Sequence, residues 1–343
     1  MPLSEMSPPA AAAQAARKGR GDQDWIDGMS FDRQTTLRAA VTLTGIGVHS
    51  GAPASICLKP SSANSGVVFL RTGIEGMPPQ LIHARHTKVS ATELCTVIGD
   101  RGPASVSTIE HLMSACSGLS LDNVLVEIDG PEMPIMDGSA REFVAAIEAT
   151  GMTTLAASRR YLKVLQPVRI EQGRAFAELM PAEQGFRLDV EIDFDTAVIG
   201  RQRKIFDLEA KAYASDIAKA RTFGFMRDVE QLWKAGFAQG ASLDNTVAIG
   251  EDKVINPEGL RYGDEFVRHK VLDAIGDLAL AGYPIIGEFR SYCGGHRMNV
   301  RILEALFADR ANFAIVEAQP VFAPARAMPM AAGAPAAYAP DLH

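Results

Sequence analysis

The stretch EFVRHKVLDAIGD at residues 265–277 carries the clearest structural signal in the chain. His269, Asp273 and Asp277 recur at intervals of four, so at 3.6 residues per turn they form one stripe along a helix. Most of the residues between them are apolar and can face a core on another side of the same helix. The pattern predicts a helix that carries a polar stripe through an apolar environment.

This stripe is suited to metal binding. A histidine and an aspartate one turn apart offer the imidazole nitrogen and carboxylate oxygen that zinc accepts in a tetrahedral shell. The alternative is a solvated helical face on which His269 and Asp273 are merely neighbours. The apolar sequence around them favours the functional interpretation, because burying several ionisable groups without a purpose is costly.

A second segment with chemical potential is STIEHL at residues 107–112. Ser107 followed three residues later by Glu110 is typical of a capping box, which would start a helix and leave Glu110 with a structural role. The functional alternative is that Glu110 and His111 provide a base and a metal ligand side by side. The segment alone does not decide between the two.

His111, His269 and Asp273 together would make a three-ligand zinc site with one open position. This layout belongs to catalytic sites, since structural sites are closed by four protein ligands. Zinc lowers the pKa of a bound water toward ~7, and a carboxylate such as Glu110 can then accept the proton. His296 in CGGHR at residues 293–297 follows two glycines, and a lone histidine in such a loop carries no signal by itself.

Composition limits the classes of protein that the chain can belong to. Its 343 residues, 47% hydrophobic and 22% charged, indicate a globular protein of about two domains. A net charge of −7 opposes an extended nucleic-acid surface. The four cysteines form no CxxC pair, which opposes a disulfide framework and fits a reducing cytoplasm. The chain contains no uninterrupted run of about 18 apolar residues, so no membrane-spanning helix is predicted.

Strand-like and helix-like patterns predict an α+β fold, because strands come in runs without regular βαβ alternation. The strand candidates lie at residues 55–59, 66–71, 94–99, 123–128, 175–180 and 188–194. The helix candidates lie at residues 108–117, 140–150, 212–218, 229–235 and 265–281. A domain boundary is expected near residues 150–160, where a predicted helix ends at Gly151.

Both ends of the chain are expected to be flexible. An alanine-rich run at residues 10–16 is followed by basic residues. A secretory signal has the opposite order, with the basic residues first. Residues 1–33 are therefore predicted to be a flexible extension. Residues 318–343 are dominated by alanine and proline and read as a mobile tail.

Five segments in the same order closely resemble one family, the zinc-dependent UDP-3-O-acyl-N-acetylglucosamine deacetylases of lipid A synthesis. The resemblance runs from Thr36 to about Ala318. The five segments are TGIGVHSG at 44–51, STIEHL at 107–112, PIMDGSA at 134–140, ARTFGFM at 220–226 and EFVRHKVLDAIGD at 265–277.

The resemblance implies a two-domain β-α-α-β sandwich in which helices pack between two sheets and each domain carries a small insert. Domain I would span residues 34–155 and domain II residues 156–317. The insert of domain II would lie at about residues 223–255. The protein is expected to be a cytoplasmic monomer of a Gram-negative bacterium, acting on a small-molecule UDP-sugar, without nucleic-acid binding or stable membrane insertion.

The resemblance also implies roles for individual residues. Zinc would be held by His111, His269 and Asp273, with Glu110 as the base that activates water. His296 would act as a cation that stabilises the oxyanion or protonates the leaving amine. The other implied site residues are Asp277 as the partner of His296, Thr222 and Lys270 at the reacting group, and Phe223, Leu94 and Gly240 against the substrate.

The apolar residues of the 223–255 segment have two possible roles. They could be buried in the main core, or they could form a passage for the 3-O-acyl chain, which bulky residues at Gly240 or Ala241 would shorten. Two other functions stay open for the chain as a whole. These are a metal-dependent hydrolase acting on another amidated sugar or a phosphoester, and, opposed by the net charge, a nucleic-acid-binding module.

Overall fold

A computed structural model of the protein describes residues 32–318. In chain order its strands are β1 Arg33–Leu37, β2 Val41–Ile46, β3 Pro53–Pro60, β4 Val67–Arg71, β5 Gln80–His83, β6 Val89–Ala91, β7 Val97–Ile98, β8 Val124–Ile128, β9 Met152–Ser158, β10 Arg160–Val164, β11 Val168–Gln172, β12 Ala175–Met180, β13 Phe186–Asp193, β14 Arg201–Asp207, β15 Phe223–Phe225, β16 Val247–Ile249, β17 Ile285–Tyr292 and β18 Phe313–Glu317.

The α-helices are α1 Glu110–Gly118, α2 Arg141–Thr150, α3 Ala210–Ala212, α4 Val229–Lys234, α5 Glu265–Leu278 and α6 His296–Ala308. A π-helical turn, Tyr213–Ile217, continues α3, and 3-10 turns lie at His86–Lys88, Met226–Asp228, Ala279–Ala281 and Arg310–Asn312.

The first large sheet has five strands in the order β2-β3-β8-β4-β5. Its side chains alternate between the two faces, as the period of two in a strand requires. In β3, Ile56 and Leu58 are fully buried and pair in antiparallel register with Ile128 and Val126 of β8. One face of this sheet therefore packs on the core.

The second large sheet has seven strands and is centred on β17. β17 pairs in parallel with β10 and β13 and in antiparallel register with β12. Alternate residues of β17 are buried along its whole length, and its Phe289 is fully buried. The chain thus has the α+β architecture that the sequence predicts, with one sheet before residue 130 and the other after residue 159.

Helices α1 and α5 lie in contact with each other inside the molecule, and α5 and α6 pack on the second sheet. All but one of the nine residues of α1 are buried, so this helix has no solvent face. A Cβ atom at Gly276 would lie 2.0 Å from the carbonyl oxygen of Glu110. Only glycine permits this approach, and the approach brings the start of α1 onto the middle of α5.

Several sequence expectations need correction in detail. The capping box is wrong: α1 has Ile109 at its N-cap position without a side-chain cap, and Ser107 donates instead to the carbonyl of Pro131. His296 lies at the first position of α6 and not within a loop. The strand expected at residues 94–99 is reduced to the two residues of β7, because the preceding residues turn with Leu94 at a φ of 66°.

The polypeptide at residues 223–249 folds into a small β-α-β element. Strands β15 and β16 run parallel, with Phe223 opposite Val247, and α4 lies between them in the chain. No helix of the described residues is long and apolar enough to cross a bilayer. All four cysteines are free thiols. The flexible segments expected at the two ends lie almost entirely outside the described residues.

Candidate metal centre

Three buried side chains from two helices point at one another. His111 lies on the first turn of α1, and His269 and Asp273 lie one turn apart on α5. The Nε2 atoms of the two histidines are 3.7 and 3.4 Å from Oδ1 of Asp273. One donor atom from each residue falls within 4.8 Å of the others, and each residue is at most 4% exposed. The three donors therefore surround one point.

The protonation states of these residues fit a cation at that point. Burial lowers the pKa of His111 to about 3, and burial also lowers the pKa of His269, so both imidazoles are neutral and can donate a lone pair. Burial would raise the pKa of Asp273, but nearby positive charges, those of Lys270 and His296 among them, outweigh burial and hold that pKa well below its usual range. The site offers two neutral nitrogens and a carboxylate.

Hydrogen bonds orient the donors for a ligand role. Nδ1 of His269 lies 3.1 Å from the carbonyl oxygen of Ala220, which can only accept, so Nε2 keeps its lone pair for the centre. Oδ1 of Asp273 is buried without a hydrogen-bond partner among the described residues. Buried polar atoms without a partner are rare and costly, so the donor set fits a divalent metal ion.

Glu110 lies at the edge of this centre. Its side chain is 3% exposed, and its Oε2 accepts a hydrogen bond from the backbone N–H of Thr96 at 3.1 Å. Burial raises the pKa of this carboxyl group, and its other oxygen lies 4.0 Å from Nε2 of His296. The Glu110 carboxylate is thus held by the backbone on one side and faces an imidazole on the other.

His296 is held in turn by Asp277. Nδ1 of His296 lies 2.8 Å from Oδ2 of Asp277, the most deeply buried carboxylate of the α5 stripe. Burial alone would lower the pKa of His296, but the charge and hydrogen bond of Asp277 outweigh it and raise that pKa to about 9. At neutral pH the ring is an imidazolium, and its Nε2–H points toward Glu110.

The structure also places Lys270 and Phe223 next to the metal-binding trio. Nζ of Lys270 donates to Oδ2 of Asp273 at 2.8 Å and lies 5.4 Å from the ring centroid of Phe223. The Phe223 ring is 6.2 Å from the His269 ring. Thr222 precedes Phe223 and is fixed by its backbone N–H, which donates to the carbonyl of Gly138 at 2.7 Å.

The remaining two sequence candidates lie in different surroundings. Leu94 is 49% exposed on the turn before β7. Gly240 is buried, and its N–H donates to the carbonyl of Val48 at 3.0 Å. A Cβ atom at residue 240 would lie 2.2 Å from the carbonyl oxygen of Gly47, so Gly240 supports the loop at residues 44–51.

Sequence reasoning missed two side chains that organise the site. The hydroxyl of Thr96 donates to Asp277 at 2.6 Å while its backbone holds Glu110, so one residue links both. Nδ2 of Asn299 donates to Asp277 at 2.9 Å. Asn299 follows His296 by three residues, a helical spacing that would have indicated a shared face had α6 been recognised. Nothing in the sequence around Thr96 indicates its role.

A buried ion pair anchors the start of α5. Arg221 and Glu265 are at most 2% exposed, and Nε of Arg221 donates to Oε1 of Glu265 at 2.9 Å. Arg221 directly follows Ala220, whose carbonyl orients His269. The pair therefore fixes the position of a metal-ligand candidate through the backbone. Removing Arg221 would leave the buried Glu265 carboxylate without its charge partner.

A further buried carboxylate connects the loop at residues 44–51 to α1. Glu132 accepts hydrogen bonds from the backbone N–H groups of His49 at 2.9 Å and Ser50 at 2.7 Å. It also accepts from the hydroxyl of Thr108 at 3.0 Å, two residues before Glu110. The first and second matching segments of the sequence thus meet in space.

Comparison with known proteins identifies the family. The profile of the LpxC family, UDP-3-O-acyl N-acetylglycosamine deacetylase, matches residues 34–308. Proteins from Brucella ovis, Brucella abortus and Brucella canis, each named UDP-3-O-acyl-N-acetylglucosamine deacetylase, are 49% identical to this chain over 286 residues. The aligned region covers 83% of this chain and 99% of each relative.

The family match spans the metal-binding trio, Glu110 and His296, and it agrees with the resemblance seen in the five sequence segments. The family match covers more than half of the chain, and the relatives are matched over nearly their whole length. The chain therefore belongs to the UDP-3-O-acyl N-acetylglycosamine deacetylase family and is a hydrolase that acts on an amide.

Proposed function

We propose that the protein hydrolyses the N-acetyl group of UDP-3-O-(3-hydroxyacyl)-N-acetylglucosamine, giving the free amine and acetate in an early step of lipid A synthesis. The observation that carries this proposal is a buried His-His-Asp trio flanked by a carboxylate and an imidazolium that face each other. The Brucella relatives, which are 49% identical to this chain, are named for deacetylation of this class of UDP-sugar, and this supports the choice of substrate.

His111, His269 and Asp273 would hold zinc, since two imidazoles and one carboxylate with an open position make a catalytic zinc set. When bound there, zinc supplies a Lewis acid that polarises the amide carbonyl and makes a nearby water more acidic. Lys270 neutralises the second oxygen of Asp273, which keeps that carboxylate ionised.

Glu110 is the general base in this proposal. It adjoins His111 in the sequence, so its carboxylate lies beside the metal-binding trio without being part of it. Its Oε2 is fixed by Thr96, and its Oε1 is directed toward His296. A carboxylate positioned there takes the proton from the attacking water, and burial, which raises its pKa, makes it a stronger base.

His296 is the general acid and the electrostatic partner of the developing oxyanion. Asp277 accepts from Nδ1, which leaves Nε2–H as the proton that can be donated. The amine leaves poorly unless it is protonated, and negative charge on the carbonyl oxygen needs a cation or a donor close by. Thr222 is proposed as a second donor to that oxygen, and Lys270 and Phe223 as contacts of the substrate.

The β-α-β element at residues 223–249 is proposed to border a passage for the 3-O-acyl chain. Met226 and Trp233 are 49% and 54% exposed, although both are large and apolar. In contrast, Val247 and Ile249 are buried in the main core. Exposed apolar side chains on a small element next to the metal centre fit an alkyl chain of the substrate.

We also propose the division of the chain into domains at residues 34–155 and 156–317, with the segment at 223–255 as an insert. The position of the two large sheets on either side of residue 155 supports the boundary. A monomeric protein acting in the cytoplasm, where UDP-sugars are made, completes the proposal.

Loss of a metal ligand is expected to remove zinc. His269→Ala should reduce zinc content from about one ion per chain to a small fraction, because two ligands hold zinc far more weakly than three. Activity should be lost with the metal. Atomic absorption on purified protein measures the content, and His83→Ala, an exposed histidine on β5, is the matched control. Full zinc occupancy and activity in His269→Ala would show that the ligand assignment is wrong.

The dependence of kcat/KM on pH is expected to be bell-shaped. Activity falls at acid pH as Glu110 becomes protonated, and it falls at alkaline pH as His296, with a pKa of about 9, loses its proton. His296→Gln should lower kcat by about two to four orders of magnitude and abolish the alkaline limb. The limbs can belong to coupled groups, so the diagnostic result is the loss of one limb in one variant. An unchanged alkaline limb in His296→Gln would contradict the assignment.

A further inference from the structure

A cavity of about 90 Å³ lies away from the metal centre, where the turn after α5 meets the first sheet. Asn64 and Arg85 line it from the first half of the chain, and Arg160 and Tyr283 line it from the second. None of the trio residues, Glu110 or His296 is among the described residues that line it. The proposed deacetylation thus makes no use of this cavity.

Positive charge is concentrated in this cavity. The guanidinium carbons of Arg85 and Arg160 lie 5.1 and 5.4 Å from the centroid of the same ring, that of Tyr283. Neither guanidinium has a carboxylate within 4 Å in the described part of the chain, whereas Arg159 is paired with Asp122 at 2.9 Å. With three arginines and one aspartate, the lining carries a net charge of +2.

Both arginines keep unused hydrogen-bond donors. A guanidinium has five N–H groups. Arg160 donates through Nη2 to Oδ1 of Asn64 at 2.8 Å, while its Nε is buried without a partner among residues 32–318. Arg85 donates through Nη1 to the carbonyl of Ala281 at 3.1 Å. Each guanidinium is thus left with N–H groups that have no acceptor among residues 32–318, and these can donate to an acceptor in the cavity.

The backbone next to Arg85 is shaped to hold its guanidinium. Gly282 has a φ of 77°, and a Cβ atom there would lie 1.3 Å from Nη1 of Arg85. Any other residue at 282 would expel the guanidinium from its place over Tyr283. The hydrogen bond to the carbonyl of Ala281 caps the 3-10 turn and gives one N–H of Arg85 a structural role. The other N–H groups of the two guanidiniums have no such role.

We propose that this cavity is a binding site for a phosphoryl dianion, which bridges Arg85 and Arg160. A dianion matches the net charge of +2, and the planar guanidinium fork matches phosphate oxygens in pairs. The space of about 90 Å³ admits one phosphoryl group. The free ion and the phosphoryl end of a small phosphomonoester share this chemistry.

The test is thermal unfolding of the full chain titrated with inorganic phosphate at constant ionic strength. A ligand that binds the folded state raises Tm in a saturable way. We expect such a rise in the wild type and at least a tenfold weaker apparent affinity in Arg85→Gln and Arg160→Gln. Arg310→Gln is the matched control, since Arg310 also lies over an aromatic ring, 5.5 Å from the Phe313 centroid, outside the cavity.

Further arms identify the ligand and guard against misfolding. Titration with glycerol 3-phosphate identifies the ligand. If the site accepts a phosphomonoester, glycerol 3-phosphate should raise Tm as much as inorganic phosphate does. If the site accepts only the free ion, inorganic phosphate alone should raise Tm. Acetate, a monoanion, should be at least tenfold weaker. If a glutamine variant fails to fold by circular dichroism, Arg160→Lys, which keeps the charge but loses the fork, should still weaken phosphate binding. An undiminished rise in the folded variants, an equal rise with acetate, or no rise in the wild type would overturn the proposal.

Discussion

Replacing Glu110 with glutamine is expected to lower kcat by about two to four orders of magnitude while the protein keeps its zinc. The amide has nearly the shape of the carboxylate and can still accept the N–H of Thr96, so the local structure should persist. It cannot accept a proton from water, however. The loss should therefore appear in kcat and leave the affinity for substrate almost unchanged.

The measurement is single-turnover release of acetate, with zinc content determined on the same sample. Glu142→Gln is a matched control, because Glu142 also lies in the first turn of a helix, α2, away from the trio. A purely structural Glu110 would instead cost about 1 kcal/mol of stability with chemistry intact, the size of a lost helix cap. The structure already opposes that role, since the side chain caps no N–H of α1. Near wild-type kcat in Glu110→Gln would refute the base assignment.

UDP-N-acetylglucosamine without the 3-O-acyl chain is expected to be deacetylated at least about a thousandfold less efficiently, on the order of 4 kcal/mol in kcat/KM. Each buried methylene contributes about 0.8 kcal/mol, so a chain of roughly ten carbons can supply this. Binding energy from a remote chain can also position the acetamide at the metal centre, which raises kcat/KM more than it tightens ground-state binding.

The exposed apolar side chains of the β-α-β element provide the surface for this effect. Trp233→Ser should reduce the preference for the acylated substrate, whereas Val247 belongs to the core and its truncation should mainly destabilise the fold. A bulky residue at Ala241 should shorten the preferred acyl chain, because Ala241 is exposed and can accept a larger side chain. Gly240 is not suitable for this test, because it is packed against Gly47. Equal kcat/KM for acylated and unacylated substrates would show that the element is only structural.

The helical periodicity of residues 265–277 was sufficient to predict α5 and its stripe, since alternation of polar and apolar positions is a local property. The convergence of His111 with that stripe was also inferred, but from residue chemistry and family resemblance and not from the fold. The physical cause of the convergence is the contact at Gly276, which depends on two helices distant in sequence and has no local signal.

Other features could not be predicted because tertiary contacts decide them. Ser107 and Glu110 have the spacing of a capping box, yet the buried Thr96 backbone captures the Glu110 carboxylate. His296 follows two glycines and looked like a loop residue, but it starts α6, where Asp277 holds its ring. In each case a local pattern was overridden by a hydrogen bond to a residue far along the chain.

The proposed function requires that the buried trio hold one catalytic zinc ion and that this ion be needed for deacetylation. The most direct test strips the protein of metal with a chelator and titrates zinc back, with acetate release from UDP-3-O-acyl-N-acetylglucosamine measured at each step. We expect the metal-free protein to be inactive, and its activity to rise linearly with added zinc and to level off at about one zinc per chain. Full activity in protein without measurable metal would contradict it.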